Sequence, residues 1–161
     1  MKTVTFDVAV ERTLSHEGNY VFHARDPGGE THWGISKRSY PDLDIKNLTR
    51  EQAKEIYKRD YWDACGSGLD DGVMYQVFDA AVNHGIGNAI RMLQRAVGAA
   101  PDGHWGPHSQ SRYANTGESD TIKLFLAERL EFMCDLIRFD TFGRGWSRRI
   151  AQNLRYGAID S

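Results

Sequence analysis

Apolar residues recur along this chain mainly at helical intervals. Phe6, Ala9, Val10, Thr13 and Leu14 keep the i, i+3, i+4, i+7, i+8 spacing of one helix face; Glu17 continues the stripe and Gly18 is placed as a C-cap. Between 19 and 36 the period breaks. There Asp26-Pro27-Gly28-Gly29 is a turn signal between Tyr20-Val21-Phe22 and Thr31-His32-Trp33-Gly34-Ile35, which predicts a loop or small β-hairpin. Thr49-Arg50-Glu51-Gln52 spells a capping box opening a second helix through Ala53, Ile56, Tyr57, Tyr61 and Ala64 to Gly66. A third helix carries Met74, Val77, Phe78, Ala81 and Val82 and ends near Asn83-His84-Gly85; a fourth runs from about Ala89 to Val97. The segment from Pro101 to Pro107 reads as a rigid turn, with Pro107 suited to a helix start. The longest helix is expected from about Ser119, with Ile122, Phe125, Leu126, Leu130, Met133 and Ile137 on its apolar face. Gly143-Arg144-Gly145-Trp146 should interrupt the chain before a short last helix around Ile150 and Leu154. With no repeat, low-complexity tract or long linker, the pattern describes one helical body with a cleft.

Composition narrows the class. The 161 residues, 40% hydrophobic and 26% charged, suit one soluble globular domain. A net charge of −2 supplies no general basic field, which argues against nucleic acid as the partner. Locally the balance reverses: from Arg138 onward five arginines (Arg138, Arg144, Arg148, Arg149, Arg155) face only Asp140 and Asp160. That basic corner is either a face for an anionic polymer such as a cell wall or an ordinary solvated helix surface. Cys65 and Cys134 belong to no CxxC pair and are expected as reduced, buried fillers. No run approaches the roughly 18 apolar residues of a membrane span, so no membrane insertion is expected. Asp7 and Glu11 stand where the apolar core of a secretory signal would lie.

Glu17 is the most informative position. A carboxylate on an apolar stripe, in the last turn of a helix, has its pKa pushed up by burial and by the negative end of the helix dipole, as a general acid requires. Read from the pattern alone, it is equally a structural glutamate bonded to an arginine or backbone group. Glycoside cleavage needs such an acid and usually a second carboxylate. Asp26, nine residues on, heads the glycine-rich turn; Glu30 is a rival from the same loop, and Thr31 can hold a water or a sugar hydroxyl. Asp26 is also simply good turn chemistry. Tyr20, Phe22, Trp33, Tyr57, Tyr61 and Trp62 supply rings on which sugar faces stack; Tyr20 and Trp33, in the loop, are the better candidates, and Tyr57 and Tyr61 have core spacing. Asn83 and His84 can donate to N-acetyl groups or merely cap a helix. His16-Glu17 is not followed by a second histidine at helical spacing, and His104 and His108 straddle Pro107 without a third ligand, so no metal and no cofactor is expected.

The run His16-Glu17-Gly18-Asn19-Tyr20 followed by Asp26-Pro27-Gly28-Gly29-Glu30-Thr31-His32-Trp33-Gly34-Ile35-Ser36 resembles the N-terminal signature of glycoside hydrolase family 108, phage and bacterial N-acetylmuramidases with a Glu-Gly-Gly-Tyr core. Asn19 replaces the second glycine and leaves the glutamate in place. Downstream, Val77-Phe78-Asp79-Ala80-Ala81-Val82-Asn83-His84-Gly85, Leu93-Gln94-Arg95-Ala96 and Asp102-Gly103-His104-Trp105-Gly106-Pro107 are similar to the predicted peptidoglycan domain that accompanies that family. More widely, tailed-phage lysozymes carry Glu, Asp and Thr on a helix end and hairpin; here Glu17 and Asp26 keep the first interval and Thr31 comes one residue early.

The resemblance implies a mainly α, lysozyme-like fold with a small β-hairpin or loop over the active-site cleft. It implies one domain over 1–161, with a catalytic lobe at 1–88 and a helical, peptidoglycan-binding lobe at 89–161. Its activity would be hydrolysis of the β-1,4 bond after N-acetylmuramic acid: Glu17 as acid, Asp26 and Thr31 handling the water, and Tyr20, Glu30, Trp33, Asn83 and His84 binding peptidoglycan strands. An endolysin of this kind is a monomer that waits in the host cytoplasm and reaches the periplasm and wall through a holin lesion. Two rivals stay open: a lytic transglycosylase using the same glutamate, and a noncatalytic wall-binding module.

Overall fold

The structure is a computed structural model that describes residues 3–15, 19–22, 24 and 29–161. Among these are seven α-helices and one small antiparallel sheet, so the architecture is mainly α and lysozyme-like. Contacts gather the chain into two compact units, 6–63 and 64–161, the second also taking in residues 3–5.

The first unit holds α1 (Phe6–Leu14), β1 (Val21–Phe22), β2 (Glu30–His32), β3 (Ile35–Ser36) and α2 (Arg50–Asp60). In α1 the apolar stripe buries Ala9, Val10, Thr13 and Leu14 as the spacing predicts. The described helix closes at Leu14, with Ser15 a turn, and the expected cap Gly18 lies outside the described residues. Thr49 opens α2 with the capping box intact: its hydroxyl accepts from the Gln52 amide at 3.2 Å and its amide donates to Gln52 Oε1 at 2.9 Å. This helix stops at Asp60, short of the expected Gly66, and a 3-10 turn at Trp62–Ala64 follows. Two exposed ion pairs, Lys54–Asp7 at 3.1 Å and Arg50–Glu11, tie α1 to α2. Solvent limits each to a fraction of a kcal/mol, so packing holds the pair together.

The strands run in the order β1-β2-β3, with Val21 opposite Thr31, Phe22 opposite Glu30, Thr31 opposite Ser36 and His32 opposite Ile35. The expected hairpin is therefore joined by a second, tighter one, whose two-residue loop is Trp33-Gly34.

In the second unit α3 (Asp71–His84) is buried on almost every side, the polar Gln76 and Asp79 included. It packs with α4 (Ile86–Ala96), α6 (Glu118–Cys134) and α7 (Phe139–Asp160). Ile122 of α6 sits where glycines admit it: a Cβ on Gly157 would lie 2.6 Å from its Cγ2, and one on Gly72 3.1 Å from its Cδ1. The segment from Asp102 to Gly106 is locked by Gln94, which is 1% exposed. Its amide nitrogen donates to Asp102 Oδ1 at 2.7 Å, the His104 carbonyl at 2.9 Å and Ser109 Oγ at 3.2 Å, and its oxygen accepts from the Gly103 amide at 2.9 Å. The Gln94 and Asp102-Gly103 motifs thus form one structural clamp. Pro107 then opens α5 (Pro107–Thr116) at its N1 position.

Three expectations need correction here. Gly143 and Gly145 do not interrupt: they lie inside α7, which at 22 residues is the longest helix, against 17 for α6. Gly143 is buried because the Phe139 ring covers it, leaving 2.9 Å to any Cβ, so its role is close packing. Ile137 is not on the apolar face of α6; it falls in the turn beyond and is 98% exposed. Cys134 is exposed rather than buried, whereas Cys65 is buried and its thiol pKa is pushed up to about 12 by that burial.

Candidate active site

Of the proposed catalytic residues, Glu17 and Asp26 lie outside the described residues, and so does Gly28. What the structure supplies is the framework that follows them in sequence. On β2, Glu30 and His32 share one face and Thr31 takes the other, since side chains alternate along a strand. Thr31 lies between Val21 and Ser36, half-buried like Glu30 and His32.

The Glu30 and His32 side chains belong to a connected row. Tyr20 donates its hydroxyl to Glu30 Oε1 at 3.1 Å and meets the His32 ring edge-on, 5.9 Å between centroids. His32 in turn stacks on Trp33, 5.2 Å apart and 14° from parallel, and donates from Nδ1 to the Ile45 carbonyl at 3.0 Å. Desolvation, then the Glu30 carboxylate, raise the Tyr20 phenol pKa, so it remains a donor. Glu30, Tyr20 and Trp33, all expected to bind substrate, are thereby brought together, with His32 as the link the sequence reading left out.

Trp33 has a demanding backbone. Its φ of 53° makes it the only non-glycine residue with positive φ among the described residues, and Gly34 follows at 75°. Positive φ at both positions is the sign of a type I′ turn, normally built from Asn-Gly or Gly-Gly. A bulky residue there must be held by its surroundings. Trp33 is held twice: its Nε1 donates to the Leu48 carbonyl at 3.1 Å, and its own carbonyl accepts from the Tyr57 hydroxyl at 2.7 Å. Tyr57 is a core residue, 1% exposed, as its helical spacing suggests.

Asn83 and His84 end α3 in the other unit. Asn83 is exposed; His84 is half-buried, edge-on to Phe132 at 5.1 Å. His84 Nε2 lies 3.3 Å from Nε of Arg129, and since guanidinium can only donate, Nε2 accepts and any proton on the neutral ring sits on Nδ1. Burial, then the charges of Arg129 and Arg149, lower its pKa to about 4, so the ring is neutral at ordinary pH.

Behind His84 lies a network the motifs did not reveal as such. The Asp79 carboxylate, 1% exposed, accepts from Arg129 Nη1 at 2.7 Å, Arg149 Nη2 at 2.6 Å, Arg149 Nε at 3.0 Å and Asn153 Nδ2 at 2.9 Å. Burial alone would raise its pKa; the two guanidiniums override this and hold it far below the usual carboxylate range. Asn153 is oriented by Tyr75, whose hydroxyl donates to its Oδ1 at 3.1 Å, and by Gln76, which donates to its carbonyl at 3.0 Å. An acid in the apolar run Val77-Phe78-Asp79-Ala80-Ala81 was the available signal. No group of three or more potential metal ligands occurs among the described residues.

Comparison with known proteins places these observations. The family model described as Glycosyl hydrolase 108 matches residues 3–85. Among solved structures, the one titled "Structure of Brucella abortus SagA" is similar at 31% identity and a TM-score of 0.86, covering 97% of this chain and 95% of that one. Comparison with curated proteins finds no match.

Proposed function

The chain belongs to the glycosyl hydrolase 108 family, and from that premise we propose that it hydrolyses the β-1,4 bond between N-acetylmuramic acid and N-acetylglucosamine in bacterial peptidoglycan. The observation that carries this reading is the span of the family match, which contains both Glu17-Gly18-Asn19-Tyr20 and the stretch from Asp26 to Ile35. Glu17 protonates the leaving oxygen. Asp26 orients or deprotonates the attacking water, and Thr31 positions it. The row of Glu30, Tyr20 and Trp33 offers an acceptor and aromatic surface to the glycan, on a turn too constrained to drift. At the end of α3, neutral His84 offers Nδ1–H and Asn83 its amide to N-acetyl carbonyls.

In this proposal the chain acts as one lysozyme-like monomer without a cofactor. Its catalytic lobe is 1–88, and its helical lobe, 89–161, is the peptidoglycan-binding region. As a phage endolysin it stays in the host cytoplasm until holin lesions admit it to the periplasm and wall. Digestion of purified sacculi tests the chemistry. Addition of water across the bond must leave a reducing end on N-acetylmuramic acid. Mass spectrometry should show reducing muropeptides, while predominantly 1,6-anhydro products, lighter by one water, would replace the hydrolase with a transglycosylase. Glu17→Gln should keep the circular dichroism spectrum and lower turnover by about 10²–10⁴-fold, the usual weight of a general acid. Retained activity would remove Glu17 from the reaction.

A further inference from the structure

The α6–α7 corner exposes a surface that the core does not use. Ile137 is 98% exposed and Phe142 47% exposed. Arg138 adjoins Ile137 and stands one turn before Phe142, whose amide donates to its carbonyl at 3.0 Å. With 3.6 residues per turn, Arg144, Arg148, Arg155 and Ile159 fall on one ridge of α7, on the side away from Phe142. All four arginines are exposed, and none has an ion-pair partner among the described residues, whereas Arg149 is bound to Asp79. Between Asp140 and Asp160 the helix has no carboxylate at all. Beyond Asp140 at its start, the ridge therefore carries only positive charge, on a chain whose net charge is −2.

We infer that this corner and ridge dock on the anionic phospholipid surface of a bilayer. Guanidinium forks match phosphate oxygens, and an exposed aliphatic tip beside unpaired arginines is the pattern of an interfacial helix. Ile137 and Ile159 enter the headgroup layer and the arginines hold lipid phosphates. A glycan strand is the poorer occupant. Sugars stack on flat rings, but the leading apolar residue here is aliphatic, and Ile159, 59% exposed, continues the ridge. Trp146 is engaged by Phe139 and Phe142 at 6.2 and 6.0 Å. No helix among the described residues is long and apolar enough to cross a membrane, so the contact is adsorption.

Co-sedimentation of the full chain with vesicles tests this. It should bind phosphatidylcholine vesicles containing phosphatidylglycerol, bind phosphatidylcholine alone little, and release with added salt. The variant R138Q/R144Q/R148Q should weaken binding by about a hundred-fold, and Ile137→Ser by about tenfold, at unchanged Tm. Replacing exposed arginines elsewhere, R95Q/R112Q, should leave binding intact. Equal binding to both vesicle types, or full binding by the triple variant, overturns the inference. So does a triple variant that keeps its vesicles but loses retention on purified sacculi, which would assign the ridge to the wall.

Discussion

The Tyr57 hydroxyl donates to the carbonyl of Trp33 at 2.7 Å, and so a buried residue of α2 holds the left-handed backbone of the β2–β3 turn. Tyr57→Phe leaves that carbonyl without this donor, at a cost of about 1–2 kcal/mol. The aromatic row depends on the same turn. Glycan hydrolysis measured well below Tm should therefore fall further than the small loss of folded protein explains. Wild-type activity in the variant would detach the turn from the site.

Gly29 reaches φ of 67° with no heavy atom of the described residues within 4 Å of a Cβ placed on it. Substitution there meets backbone strain and no steric obstacle from those residues. Gly29→Val should cost about 1–2 kcal/mol, and should lower activity more than stability because the residue leads directly into Glu30 and Thr31. Gly29→Asn, which tolerates this conformation, should recover most of both. Thermal melts and turbidity assays on the two variants check the contrast.

Asp79→Asn removes the negative partner of a fully buried arginine. Breaking a buried pair from one side costs about 3–5 kcal/mol, so Tm should drop by on the order of 10 °C. Asn153→Ala takes away an uncharged side chain that donates to the same carboxylate and accepts from the Tyr75 hydroxyl, and should cost about 2 kcal/mol, less than Asp79→Asn. Similar losses in both would deny Asp79 its central place.

His84 makes stability depend on pH in a defined window. Its pKa is about 4 in the folded protein, below the ordinary 6.5. Between those values the unfolded chain binds a proton that the folded one refuses, so stability rises with pH and is lost as pH falls from about 6.5 toward 4. The loss is at most about 3 kcal/mol, and less for a ring that water still reaches. His84→Gln retains an acceptor for Arg129 without a titrating group. Urea melts at a series of pH values should show its dependence flattened in that window; an unchanged slope would assign the effect elsewhere.

Local chemistry was readable in the chain and distant compensation was not. The Thr49–Gln52 capping box and Pro107 at a helix start need only neighbours in sequence, and both occur as expected. Gly143 and Gly145 mislead because their usual meaning, a break, is overruled by Phe139 and by the packing of the helix that contains them. Trp33-Gly34 carries no ordinary hairpin signal, since its geometry is maintained by Leu48 and Tyr57, 15 and 24 residues away. Asp79 could be noticed as an acid among apolar residues, but Arg129 and Arg149 stand 50 and 70 residues beyond it. For the site itself, Tyr20, Glu30 and Trp33 could be selected as loop residues of useful chemistry. Their linkage through His32 is a tertiary fact.

The single carboxylate of Asp79 joins α3 to α6 through Arg129 and to α7 through Arg149 and Asn153. If α7 alone peeled away, a buried anion would lose three of its four hydrogen bonds, and Arg129 would remain beside it in a half-dismantled interior. That penalty closes the low-energy routes by which terminal helices commonly fray. Amides of α7 near Arg149 and Asn153 should therefore exchange with solvent by the same global opening as those of α3, despite the three glycines that make the helix intrinsically weak. The three helices form one cooperative unit, and its integrity is decided at a buried carboxylate only two hydrogen bonds removed from His84.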